Sequence, residues 1–448
     1  MRKLFMKITN KIDNLLDANL KDVIKKSGIS LILKIFGVGF LFFNSAFLGR
    51  FLGPEGLGII NISLKIIAVL LMLSLLGIPH LLIKEISIAN YNKNWNRISE
   101  LSYTSFLLNF ISSTVIALII IYYAADISRV VFNESELSEP LQIMLVGMLP
   151  QSFTRLISSL ILGFNKVWQS NLLNETLSAF LVSLLLIFSY LLNIEITLIK
   201  VTYMYAGSYF FVSICSFVYW KSIFKFKGDK GNKILKLIIA AVPFLLVNGS
   251  GIIAANTDIL MVGWLTDSYQ AGLYSVATQI ALVTSFFLLV TNSALSPKLA
   301  SMFANGEISE MNKMVQKITL GLLVIGTVFF LFFVIFGKSI LSIWGEPFVE
   351  AYPLLVVLSI GQFFNIGTGC AGFILIMCGY EKIHAKLSLS FVFINIILNY
   401  VLIINYGIIG AAVATAITVG SENIIKVVLA YKTTGISTIK ILGRKNEK

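Results

Sequence analysis

The sequence predicts an all-α polytopic membrane protein of about twelve transmembrane helices, arranged as two six-helix bundles related by a pseudo-twofold repeat. Three observations predict this: an apolar composition, apolar blocks of bilayer-crossing length, and an internal duplication. Of 448 residues, 57% are hydrophobic and only 13% charged, where a soluble domain carries about 25% charged residues. Blocks of 20 to 29 apolar residues recur along nearly the whole chain, and each can cross a hydrocarbon core of about 30 Å.

Taken in order, the blocks place spans near 29–50, 57–83, 101–123, 139–163, 171–192, 196–219, 235–263, 269–295, 314–336, 349–377, 384–404 and 408–431. The expected organisation is a cytoplasmic amphipathic basic tail (1–28), an N-terminal bundle (29–220), a basic cytoplasmic linker (221–236), a C-terminal bundle (237–431) and a basic cytoplasmic tail (432–448). The first 28 residues lack a short apolar core followed by a small-residue cleavage site, so no cleavable signal is expected. There Leu4, Ile8, Ile12, Leu16, Leu20 and Val23 recur at helical spacing among lysines, which suits a helix on an anionic membrane surface; a solvated basic tail is the alternative.

With both termini cytoplasmic, 27 of the 35 basic residues fall in inner segments, counting Lys236, Lys317 and Lys386 at the inner ends of their spans. Only Arg50, Arg129 and Lys338 lie outside, and Lys34, Lys65, Arg155, Lys200 and Lys426 lie within spans. This asymmetry follows the positive-inside rule and needs an even number of spans. The net charge of +13 is thereby explained by topology, since the basic residues are dispersed between apolar blocks and nucleic acid is not expected as a partner. Cys215, Cys370 and Cys378 have no paired or metal-ligand spacing, so neither disulfide nor metal nor cofactor is expected and they read as packing residues.

The duplication is visible in four ordered matches. Gly49-Arg-Phe-Leu-Gly-Pro-Glu-Gly56-Leu-Gly resembles Gly263-Trp-Leu-Thr-Asp-Ser-Tyr-Gln-Ala-Gly272-Leu-Tyr at offsets of 214 and 216. Pro79 matches Pro297 at 218, Pro140 matches Pro353 at 213, and Gly163-Phe-Asn-Lys166 matches Gly379-Tyr-Glu-Lys382 at 216. The shift covers six spans, an even number, so both halves enter the membrane in one orientation about an axis along its normal. Parallel-repeat transporters bind substrate between such halves, which makes transport the expected task.

The stretch Leu48-Gly-Arg-Phe-Leu-Gly-Pro-Glu-Gly-Leu-Gly58, followed by Leu76-Gly-Ile-Pro79 and Lys84-Glu85, resembles the polysaccharide-biosynthesis flippases of the Wzx type. Asp258-Ile-Leu-Met-Val-Gly263, Ala271-Gly-Leu-Tyr274, Tyr352-Pro353 and Tyr406-Gly-Ile-Ile-Gly-Ala-Ala-Val-Ala-Thr-Ala416 extend the resemblance through the second half. It implies the multidrug and toxin extrusion fold and an undecaprenyl diphosphate-linked oligosaccharide as substrate. That substrate would pass to the outer leaflet of the cytoplasmic (inner) membrane by alternating access. It also implies, as partners, membrane lipids and the polymerase and glycosyltransferases of the same pathway, for O-antigen, capsule or exopolysaccharide.

Ionisable residues inside a bilayer are functional suspects because insertion costs about 2.5 to 3.5 kcal/mol each. Arg155 lies inside the fourth span, 15 residues after Pro140 and 8 before Gly163. Its planar fork suits the oxygens of a diphosphate, the alternative being a structural bond to backbone carbonyls or Gln151. Lys65 and Lys34 either extend a cationic cavity or snorkel to a surface. Glu422 and Lys426, four apart in the twelfth span, read as an ion pair on one helical face. Titrating instead, Glu422 would couple transport to protons or sodium, as would Asp258. Gly367 and Gly369 are either close-packing positions or a gating hinge.

Three other functions compete. A multidrug or small-cation antiporter on the same fold would prefer buried carboxylates and aromatics. A membrane polymerase or ligase usually needs a large outer loop with catalytic Arg or His, whereas the outer loops are short and the histidines are His80 and His384. A pure scaffold would not require a duplicated bundle with buried cations. Phosphate-cradling, metalloprotease and nucleophile-turn motifs are lacking in the sequence, so it is not read as an enzyme.

Overall fold

A computed structural model describes residues 18–226, 228 and 234–439. The expected surface helix over 1–28 lies outside the described residues for its first 17 positions, as do 227 and 229–233 of the linker and 440–448 of the last tail.

Fifteen α-helices follow one another among the described residues: α1 (Ala18–Leu75), α2 (Ile78–Tyr91), α3 (Trp95–Asp126), α4 (Ser138–Gly163), α5 (Val167–Asn171), α6 (Leu177–Leu191), α7 (Leu198–Ile223), α8 (Ile234–Leu265), α9 (Ser268–Ala281), α10 (Val283–Ala304), α11 (Ile308–Leu341), α12 (Tyr352–Gly367), α13 (Ala371–Met377), α14 (Glu381–Tyr406) and α15 (Ile408–Thr434). Nine runs are long and apolar enough to cross a membrane, or up to eleven when two bent pairs count as one span each. One run, Gly28–Leu75, is 48 residues long, which at 1.5 Å per residue is about 72 Å and two crossings of the bilayer. It divides at Gly53, whose φ of 69° and ψ of −175° leave the helix immediately before Pro54. Counting it twice brings the described residues to twelve crossings.

Four spans are bent or interrupted where the sequence reads as continuous, and the one expected over 235–263 bends by 59° within α8. The span expected over 57–83 breaks at Leu76 and Gly77, with φ of 50° and 77°, and restarts with Pro79 in the first turn of α2. Proline fits a first turn because its missing N–H has no partner there. Any side chain at Gly77 would also collide with α8, since a methyl group would lie 2.4 Å from the amide nitrogen of Leu245. The span expected over 269–295 bends by 42° between α9 and α10. The one expected over 349–377 ends as α12 and resumes as α13 beyond Gly369, which has φ 70°.

The chain forms two compact units: one holds the described residues up to Asn44 with Leu71–Ile121 and Ile143–Leu245, the other Ser45–Leu70, Tyr122–Gln142 and Leu246 onward. In the first, Leu82, Ile86, Leu156, Leu160 and Trp220 pack into one apolar core with Leu237 of α8. In the second, Leu299, Met311, Val315, Ile374 and Ala430 do so, and Cys370 and Cys378 are free thiols packed into this core. The small residues of the last span seat α15 closely: a methyl on Gly361 of α12 would lie 2.9 Å from the Cα of Ala416, the approach that small residues permit between helices in lipid.

Candidate transport sites

Three helical faces converge on a cavity of about 490 Å³ within the second unit. Residues 250, 254 and 258 of α8, 384, 388, 391 and 395 of α14, and 415, 418 and 422 of α15 line it; each set repeats every three or four positions, the spacing of one helix face. At one end sits Asp258. Thr415 donates to its Oδ2 at 2.7 Å, Tyr274 to the same oxygen at 3.3 Å, and Asn399 to Oδ1 at 2.8 Å. Asn399 is held in turn by Asn395 Oδ1 at 3.0 Å. The carboxylate thus has three neutral donors and no cation among the described residues.

Glu422 lines the same cavity in a different state. Lys426 lies 2.8 Å from its Oε1, and Ser388 donates to that oxygen at 2.7 Å. The four-residue spacing therefore produces an ion pair, with side chains 13% and 19% exposed, and leaves Asp258 and Glu381 as the cavity carboxylates without an ion pair among the described residues.

In the first unit, Arg155 projects from α4 one turn after Gln151. Among the described residues its guanidinium forms no ion pair and donates no hydrogen bond, and the Oε1 of Gln151 is buried without a partner. The structural bond to Gln151 is therefore not made. Tyr209 of α7 and Glu175 are the polar neighbours of Arg155, Glu175 beyond ion-pair distance. Glu175 sits in a π-helical segment, Leu172–Thr176, between α5 and α6, a local irregularity that recurs at functional sites. Lys34 belongs to this unit and Lys65 to the second; both are half-buried.

The duplicated glycine motifs meet each other inside the second unit. A methyl on Gly58 would lie 1.8 Å from the carbonyl oxygen of Ser268, and one on Gly272 would lie 1.9 Å from that of Pro54. Ser268 is 54 plus 214 and Gly272 is 58 plus 214, so the two contacts are the same contact seen from either repeat. Asn61 donates to Ser275 at 2.9 Å, again 214 residues away. Residues that pair with their own repeat mates lie on a twofold axis, and here the axis runs through this glycine clasp. The clasp is reinforced where Ser268 donates to Glu134 at 2.6 Å and Trp344 Nε1 to Ser45 at 2.9 Å.

A family model described as polysaccharide biosynthesis protein matches residues 23–303, more than half of the 448. The chain belongs to this family. A second model, described as MatE, matches residues 243–401. Capsular polysaccharide biosynthesis protein CapF of Staphylococcus aureus is 22% identical over 204 residues, which cover 45% of this chain and 52% of CapF. The probable low-salt glycan biosynthesis flippase Agl15 of Haloferax volcanii is 25% identical over 162 residues, 36% of this chain and 34% of its own. The matched stretch therefore spans about half or less of these relatives.

Among solved structures, an inward-facing multidrug resistance MATE family transporter of the MOP superfamily superposes with a TM-score of 0.76 at 14% identity, covering 91% of this chain and 96% of that one. Lipid II flippase MurJ, in an inward closed conformation, superposes with 0.68 at 15% identity, covering 92% and 88%. The fold is thus that of the two-repeat transporters of this superfamily, as the resemblance in the sequence implied.

Asp258 and Glu422 line one cavity, which their distance in the sequence did not foretell, and Lys426 joins Glu422 in the ion pair that their spacing predicts. Tyr274, Asn395, Asn399, Thr415 and Ser388 escaped the sequence reading. A signal existed for two of them: Asn395 and Asn399 are four apart in an otherwise apolar span, hence on one face. Gly369 lies at the break between α12 and α13, and a methyl there would lie 2.2 Å from Thr319 Oγ1, so the position combines a left-handed backbone with close packing. Among the described residues no group of three His, Cys, Asp or Glu side chains is placed to hold a metal ion.

Proposed function

We propose that this protein is a flippase of the cytoplasmic membrane, with both termini cytoplasmic, that carries a lipid diphosphate-linked oligosaccharide from the inner to the outer leaflet by alternating access, without catalysing a reaction. Family membership and the names of its relatives, one a capsular polysaccharide biosynthesis protein and one a probable glycan biosynthesis flippase, support this reading. The observation that carries it is Arg155. A permanently charged guanidinium in a membrane-crossing helix, with no ion pair or hydrogen bond to a described residue, is an unfilled site for an anion. A diphosphate, with paired oxygens in the geometry of the guanidinium fork, is the fitting occupant. Lys34, in the same unit, and Lys65, in the other, are the further candidate cations for the headgroup.

Asp258 has the complementary role. A membrane carboxylate with neutral donors and no counter-cation can gain and lose a proton or bind a monovalent cation, and that event couples transport to an ion gradient. Glu422, already neutralised by Lys426, has less to gain. The glycine clasp, at the outer ends of the spans in this orientation, closes the outer side and has to part during the cycle. Gly367 and Gly369 are the candidate hinge. The polymerase and glycosyltransferases of the same pathway are the expected neighbours.

A second reading has one observation in its favour: Asp258, Glu381 and Glu422 all line the same cavity, as an exporter of small organic cations would require. The two readings separate in cells lacking their own flippase. Restored surface polysaccharide with wild type, its loss with Arg155→Ala at matched membrane insertion, and partial recovery with Arg155→Lys support the flippase. Normal polysaccharide with Arg155→Ala, or export of a cationic dye sensitive to Asp258→Asn without any polysaccharide, overturns it.

A further inference from the structure

The second unit carries another cavity, of about 690 Å³, that shares no lining residue with the one around Asp258. Its wall on α11 changes character along one helical stripe. Lys313, Gln316 and Lys317 come first, Leu320 and Leu323 follow, and Phe363, Phe364 and Ile424 complete the apolar part. Leu320, Phe364 and Ile424 are 62%, 41% and 49% exposed, so the groove opens sideways toward the lipid phase.

An apolar surface is expected of any helix facing lipid; the polar end is what distinguishes this groove. Thr319 and Thr438 line it, are 5% and 2% exposed, and hold hydroxyls with no hydrogen-bond partner. Buried hydroxyls left unpaired are destabilising and call for an acceptor. Lys317 has no ion pair among the described residues, and Lys313 has only Glu310 at 3.1 Å, both side chains about two-thirds exposed. Two lysines thus gather at one end, and a hydrocarbon wall runs away from them.

The length identifies the ligand. From Lys313 to Leu323 is ten residues, about 15 Å of helix, or half of a hydrocarbon core of about 30 Å. The polar end lies beside the 305–307 turn and the segment after α15, at the cytoplasmic side in the proposed orientation. We infer that this groove binds one anionic phospholipid of the cytoplasmic leaflet, its phosphate held by Lys313 and Lys317 and one acyl chain laid along Leu320, Leu323 and Phe364. A polyprenyl chain would run beyond a groove one leaflet long. Gly367 and Thr368 form part of the wall, so the lipid would rest against the break between α12 and α13 and brace it.

The inference rests on the proposed orientation but not on the proposed cargo, and its test reads binding without transport. Delipidated full-length protein is titrated with phosphatidylglycerol or phosphatidylcholine of matched chains, and the bound lipid is counted by native mass spectrometry. Wild type should retain one phosphatidylglycerol at least tenfold more tightly than phosphatidylcholine. The double variant Lys313→Gln/Lys317→Gln should lose that preference, and Leu320→Trp, which narrows the apolar part, should weaken both lipids. Equal retention of the two lipids by wild type, or an unchanged preference in the double variant, overturns the site. Displacement of phosphatidylglycerol by polyprenyl phosphate at lower concentration would assign the groove to a cargo tail instead.

Discussion

Asn44 in the first repeat and Asp258 in the second stand 214 residues apart, and their partners Ser183 and Asn399 stand 216 apart. The first pair is neutral: Asn44 donates to the carbonyl of Ala179 at 3.0 Å and accepts from Ser183 at 2.7 Å. The second keeps the same helix-to-helix contact, with Asn399 donating to Asp258 at 2.8 Å, but exchanges the amide for a carboxylate and surrounds it with Thr415 and Tyr274. Both joints tie the same pair of repeat-related helices, but the partner changes from Ser183 to Asn399 and only the second joint carries an ionisable group. The contact between the helices is common to both halves, and the charge in one half alone is what the proposed coupling role of Asp258 rests on. The reverse asymmetry holds for Arg155, whose counterparts in the second repeat fall near Ile366 to Ala371, where the helix breaks.

This comparison breaks most sharply if the carboxylate is removed. Asp258→Asn makes the second joint resemble the first, so the helices should still pack and the melting temperature should move little, while gradient-driven transport falls by about 100-fold or more, the order of a lost proton-transfer group. Transport unchanged by this variant would make the two joints equivalent. Next in size is the reciprocal change, Asn44→Asp, which places a second carboxylate in the membrane without Thr415 and Tyr274 around it. A loss of about 3 kcal/mol is expected, read as a lower melting temperature in detergent. Gly272→Val and Gly58→Val should be nearly equal in effect, each costing about 1 to 3 kcal/mol through overpacking of the clasp; a large inequality in thermal unfolding would argue against the twofold axis there. The smallest effect belongs to Ser183→Ala, about 1 kcal/mol for one hydrogen bond, with transport retained.

The sequence carried the spans, the duplication and the Glu422–Lys426 pair because each is a matter of spacing along one chain: apolar length, a constant offset, and four residues on a helix. It missed the break at Gly77 because apolarity runs through it, and at Gly369 it left packing and a bend as alternatives; the packing of α8 or α11 against these positions shows why a glycine is required. The donors around Asp258 come from three other helices, more than 130 positions away in the case of Asn399 and Thr415. Their meeting is a product of tertiary packing, to which a local reading is blind. Arg155 was legible as a buried charge; its lack of partners was not.

The central claim is that an unpaired cation in the first half receives a lipid diphosphate. It is tested most directly by reconstituting the purified protein in proteoliposomes with a fluorescent undecaprenyl-diphosphate oligosaccharide and following label that becomes accessible to an impermeant quencher. Rapid movement by wild type, partial movement by Arg155→Lys and none by Arg155→Ala is the expected result. Equal movement by wild type and Arg155→Ala, or none by wild type under either a proton or a sodium gradient, would contradict it.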